Sequence, residues 1–218
     1  MIAQAKLDNL KPLLPAGIDP ESDQTIVYAA GNLAVADVAN LNDDALSAKD
    51  AARIYRGFEW QQVNIEHGRG NIVGFIVRAG LSELGTDRLI TPEEALASGK
   101  PFNIAIVIGF WRVADPDLCN FILQSSGPGS PDKDKLSLSF EVGFDDYDIV
   151  TLPHGVSNLA MATATITPDS AEFDRYDKLL RVNGGKGSFG KENARVARIC
   201  RIEDYDLPNK KVKLWSPT

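Results

Sequence analysis

The sequence predicts an α+β protein, one domain over residues 1–218 built around a mostly antiparallel sheet. Three observations predict it. Strand-like runs alternate with short helical segments that carry cap residues; neighbouring strands are separated by turn residues; and no internal repeat or second core divides the chain. A length of 218 residues with 44% hydrophobic and 24% charged residues suits one folded unit with an ample core.

The elements follow in order. Residues 1–45 are Ala-, Asn- and Asp-rich and read as an irregular N-terminal extension, within which Gln24–Tyr28 is strand-like. Ser47 is placed to cap a helix through Ala51, Ile54 and Tyr55, with Asp50 at the third helical position reaching back. Gln61–His67 and Asn71–Arg78 read as two strands joined by the turn-rich Gly68–Gly70. Thr91 caps a short helix with Pro92 in its first position. Phe102–Val113 is a continuous β-branched and aromatic run, which predicts a central strand buried on both faces.

Pro116–Gln124 predicts a helix, and Ser125–Asp132 is the longest cluster of breakers, hence a loop. Lys135–Phe144 alternates, with Ser137, Ser139 and Glu141 on one face and Leu136, Leu138 and Phe140 on the other. Tyr147–Leu152 is a further strand, Ser170–Leu180 a helix capped at Ser170, and Ala194–Ile202 the last strand before a basic tail over residues 203–218.

Composition excludes several functions. A net charge of −7 argues against a sequence-independent grip on nucleic acid, which needs clustered Lys and Arg. The longest apolar run, Ile104–Trp111, is too short to span a bilayer, and no cationic apolar leader opens the chain. Two cysteines and two histidines, all far apart in sequence, give no metal-ligand spacing and fit a reducing compartment. The glycine loop Gly184–Lys191 matches part of a phosphate loop through Gly185, Gly190 and Lys191. Glu192 stands where a magnesium-binding hydroxyl belongs, and no strand precedes the loop. Neither a cofactor nor a metal is expected, and Trp60, Trp111 and Trp215, not interleaved with basic residues, read as packing.

Imidazole chemistry must use His67 or His154, because there is no other histidine. His67 ends a strand beside glycines, where a side chain can point into a cleft. Ser137 or Ser139, on a strand, would be a nucleophile only with a base within hydrogen-bond reach; otherwise the pair marks a solvated sheet face. If Asp145-Asp146 is a hairpin tip, Ser137 lies opposite His154 and Ser139 opposite Leu152, with Cβ atoms roughly 4.5–5.5 Å apart. Asp148, Asp145, Asp146 and Glu141 are the nearby acids that could orient an imidazole.

Several of these segments, in this order, resemble the head-maturation (prohead) serine proteases of tailed bacteriophages. They are Phe58–His67 followed by Ile72–Ile76; Pro101–Ala105 with Gly109–Trp111; Leu136–Phe144 with Tyr147; and Leu180–Gly187 followed by Ala194–Arg198. That family resembles the herpesvirus capsid-assembly protease in fold, which implies a barrel-like antiparallel sheet with surrounding short helices. The resemblance makes His67 the base and Ser137 the nucleophile. Ser139 stands where many members carry glycine, and it shares the face of Ser137. His154 falls in the order of the second histidine of the herpesvirus triad, and Asp148 is the substitute where an acid is used instead.

The implied activity is that of a serine endopeptidase cleaving phage scaffold and major capsid proteins, and itself, inside the assembling prohead in the host cytoplasm. Homo-oligomers are a further implied partner. The alternative is a non-catalytic head or scaffold-binding protein on the same fold.

Overall fold

The computed structural model describes residues 10–65, 70–125, 138–141, 146–182, 194–201 and 213–215. Eleven strands follow along the described residues: β1 (Ile26–Val35), β2 (Asp44–Leu46), β3 (Gln62–Asn64), β4 (Ile72–Glu83), β5 (Leu89–Ile90), β6 (Phe102–Trp111), β7 (Ser139–Glu141), β8 (Asp146–Pro153), β9 (Ala164–Ile166), β10 (Ala194–Arg201) and β11 (Lys213–Trp215). The α-helices among them are α1 (Ala48–Ile54), α2 (Pro92–Ser98), α3 (Pro116–Ser125) and α4 (Ala171–Val182). The class is α+β with mostly antiparallel sheets, as the sequence predicts.

The larger sheet has the order β1-β6-β4-β3, with β5 pairing the far end of β4, and all its pairs are antiparallel. The apolar run, broken only by Asn103, accounts for the central place of β6, where nine of its ten residues are buried. One face carries the main core, including Ile54 and Phe58 from the α1 region, Ile76 and Leu81 from β4, Ile104, Ile106 and Ile108 from β6, and Ile122 from α3. Each such buried side chain contributes roughly 1.5–3 kcal/mol. The other face is covered by Leu10, Leu13, Leu14 and Ile18, which pack around Ala30, Val77, Ala105 and Val107. Within residues 10–45, the described part of the expected extension, β1 runs the length of β6 and the segment before it sheathes the sheet.

The smaller sheet has the order β2-β10-β8-β9, with β2 parallel to β10. Helix α4 packs on one face of it, through Phe173, Tyr176 and Leu180 against Ile149 and Val196. The predicted caps form. Asp50 N–H donates to Ser47 Oγ at 3.0 Å and the Ser47 hydroxyl donates to Asp50 Oδ2 at 2.9 Å. Thr91 and Glu94 complete a capping box with Pro92 at the first helical position, and Phe173 N–H donates to Ser170 Oγ at 3.1 Å.

Strands β7 and β11 pair antiparallel as a separate ribbon. Among the described residues no hydrogen-bonded ladder closes the sheets into a barrel. The ribbon nevertheless lies at both edges of the larger sheet, with β11 beside β3 and β7 beside β1.

Candidate functional site

Ser139 is half-buried at the start of β7, where its Cα lies opposite Trp215 of β11. Leu138, just before it, packs against the main core. Side chains of an extended chain alternate, so Ser139 takes the face turned away from that core. Because β11 sits beside β3, the ribbon brings Ser139 toward the strand whose sequence continues to His67. His67 and Ser137 themselves lie outside the described residues, as do Asp145 and the glycine loop 184–191.

One group at the end of β3 was not anticipated from the sequence. Asn64 is 9% exposed, and its buried Oδ1 accepts no hydrogen bond among the described residues. A buried acceptor left unmet is costly, roughly 1–3 kcal/mol. It stands three positions before His67, at a shift of register between Val63 and Asn64. An asparagine on a strand carries no sequence signal of this kind.

Among the described residues, the serine strand and β8 are not paired as the expected hairpin would have them. Leu152 lies opposite Arg195 rather than Ser139, and Ile149 is paired by Arg198 on one side and Ile166 on the other. One edge of β8 is thus filled along its length by β10, and the other is filled at Ile149–Thr151 by β9. β8 gains eight paired positions from β10, a long ladder that the described serine strand, β7, does not share. Asp148 is half-buried in mid-β8 opposite Ile199, and His154 is exposed in the turn after it, next to Gly155 at φ +76°. Ser139 therefore belongs to the ribbon against the larger sheet, and Asp148 and His154 to the smaller sheet and its adjoining turn.

Strand β8 is held firmly. The Tyr147 hydroxyl donates to Asp177 Oδ1 on α4, and Arg181 Nε donates to Asp177 Oδ2 at 2.7 Å. Burial works to raise the Asp177 pKa, but these two donors outweigh it and hold the carboxyl below its ordinary range. Burial and the Asp177 carboxylate together push the Tyr147 phenol up.

Trp60 packs through one ring face and leaves the rest to solvent. It is 63% exposed, at φ +66°, with its ring stacked on Phe75 at 5.9 Å, and Phe75 in turn lies 5.7 Å from Trp111. Trp111 and Phe75 are half-buried and do pack; Trp60 caps their row from the solvent side. A left-handed backbone is uncommon for a bulky residue, and the Trp60 N–H bond to Ile76 O at 2.8 Å holds it there.

Among the described residues no group of three or more His, Cys, Asp or Glu side chains could hold a metal ion, and no helix is long and apolar enough to cross a membrane. What the described geometry offers chemically is a strand hydroxyl on a short ribbon, with a histidine-bearing segment leading from the strand beside it. No protein-family model, curated protein or solved structure matches the chain.

Proposed function

We propose that this chain is a serine endopeptidase of the phage head-maturation type, acting on scaffold and major capsid proteins and on itself within the prohead, as an assembly of several copies. The observation that carries the reading is the seat of the β7–β11 ribbon. The serine strand is the partner of β11, β11 lies beside β3, and β3 leads within three residues to His67. The finer fold proposed is the barrel-like sheet of the herpesvirus capsid-assembly protease. Its support is that the ribbon reaches both edge strands of the larger sheet, β3 and β1, which is where a closing pair of strands must lie.

In this mechanism His67 takes the proton of Ser137, or of Ser139 one pleat along, as the oxygen attacks the peptide carbonyl. The tetrahedral intermediate collapses with His67 protonating the leaving amine. Backbone N–H groups near Gly143 or in the glycine loop would stabilise the oxyanion. His154 or Asp148 would fix the His67 tautomer, through the turn after β8 or from within it.

Labelling with a fluorophosphonate, followed by peptide mapping, tests the reading on the parent chain and on Ser137→Ala, Ser139→Ala and His67→Ala, with scaffold protein present. Label on Ser137 that disappears in His67→Ala is the expected result. Label on Ser139 keeps the enzyme and moves the nucleophile by one pleat. Absence of label from both serines overturns the reading in favour of a non-catalytic head protein.

A further inference from the structure

A cleft of about 610 Å³ opens at the edge of β4, between the N-terminal segment, the turn before β3 and strand β5. That volume falls in the range of small-ligand sites, roughly 300–1,000 Å³. Among the described residues, Ser139, Asp148 and His154 do not line it.

One wall is apolar, built from Leu13 and Leu14 on the N-terminal segment and from Leu89 and Ile90 on β5. Gly80 makes this wall possible. A Cβ at that position would lie 2.6 Å from a Leu13 methyl, so the glycine lets Leu13 lie close against the sheet in its present rotamer.

The lining also carries charge, from Arg56, Glu59 and Arg78. Glu59 is already satisfied: Arg78 Nη1 donates to its Oε2 at 3.0 Å and the Ala79 N–H to its Oε1 at 3.4 Å. Arg56 donates its Nε to the Tyr55 hydroxyl at 3.0 Å, which fixes the plane of the guanidinium. Among the described residues, the terminal nitrogens of Arg56 and the Nε and Nη2 of Arg78 have no partner. Among the described lining residues, Arg56 and Arg78 against Glu59 leave one net positive charge, in a chain whose net charge is −7.

A planar guanidinium fork beside an apolar wall matches a carboxylate carried on an apolar body. A dianionic phosphate fits less well, since one free charge balances one carboxylate and Glu59 lies alongside. We propose that this cleft binds a carboxylate on an apolar body, supplied either by a free fatty acid or by the C-terminal end of an apolar peptide. The proposal is independent of the endopeptidase reading.

Isothermal titration of the full chain tests it with two matched pairs of probes, decanoate against decanol and N-acetyl-Leu-Leu-Leu as free acid against its amide. The expected result is a Kd tighter than about 1 mM for at least one acid, with the neutral member of that pair about tenfold weaker. Arg56→Gln, at an exposed position and checked for an unchanged fold by circular dichroism, should weaken the acid by about tenfold. Binding of decanoate alone assigns the site to free acids, and binding of the peptide acid alone assigns it to chain ends. Absence of binding by both acids, equal affinity for acid and neutral probe, or an unchanged Kd in Arg56→Gln overturns the proposal.

Discussion

Gly74 and Gly80 lie on the same strand, yet a methyl group added at each meets a different obstacle. At Gly74 the Cβ would sit 2.2 Å from the backbone oxygen of Gly109 and 3.0 Å from Phe110 Cα, both fixed in the central strand. At Gly80 it meets the far end of a flexible leucine. Gly74→Ala should therefore destabilise by about 3 kcal/mol in urea unfolding, and Gly80→Ala by less than about 1 kcal/mol. Equal losses at the two positions would contradict this account of the β4–β6 approach. Cys200 makes a second prediction at this scale. Burial, with a smaller push from Asp44, raises its thiol pKa from 9.0 to about 12. The unfolded thiol ionises near pH 9 while the folded one stays protonated, so the unfolded state loses protons first. Stability is unaffected below pH 9 and falls as pH rises from about 9 toward 12. A Cys200→Ala chain should show a shallower loss over that window, read from urea midpoints at successive pH values.

Among the elements, those with a local physical cause were legible in the sequence. Capped helices announced themselves through Ser47, Thr91 and Ser170, because a cap is a bond between residues three apart. The central strand was legible because burial on both faces leaves no polar position in Phe102–Trp111 apart from Asn103. Partner choice was not legible: nothing local says that β8 prefers the distant β10 to the adjacent serine strand, or that the tail supplies a partner for β7. The serine and histidine types were visible for the same local reasons as the caps, whereas the seat of the serine depends on contacts between residues 139–141 and 213–215. That dependence is testable. A chain ending at residue 212 lacks β11, the one strand paired with β7 among the described residues. Hydrogen exchange should then accelerate at the amides of residues 138–141 while β4 and β6 keep their protection. Unchanged exchange at 138–141 would mean that β11 does not hold the serine strand.

Across the whole molecule, the two sheets are joined by the stretch from Ala36 to Asp44, and its bonds run to both. Ala36 N–H donates to Phe102 O of the larger sheet at 2.8 Å, Ala39 N–H to Ser157 O at 2.8 Å beyond the end of β8, and Ala48 N–H to Asp37 Oδ1 at 2.7 Å at the start of α1. Asp37 and Asp43 both adopt positive φ there, +58° and +59°, a conformation that aspartate tolerates better than most side chains. Arg195 of β10 clamps this crossing. Its Nε donates to Asp43 Oδ1, its Nη1 to Ser157 Oγ and Val156 O, and its Nη2 to Asn40 O at 2.8 Å. The pair is well shielded, with side-chain exposures of 15% for Arg195 and 5% for Asp43, so solvent screens it little. Removing one partner of a buried pair costs more than the pair itself contributes, because the other charge is left desolvated. Arg195→Met keeps the length and apolar stem but takes away every donor, and should lower unfolding free energy by about 3 kcal/mol. Asp43→Asn in the same chain removes the carboxylate charge that Arg195 balanced while keeping a residue suited to the backbone, and should recover about 1–2 kcal/mol of that loss. If the double variant is as unstable as Arg195→Met alone, the clamp acts through Ser157 and the Asn40 carbonyl, and the charge on Asp43 is incidental to how the two sheets are joined.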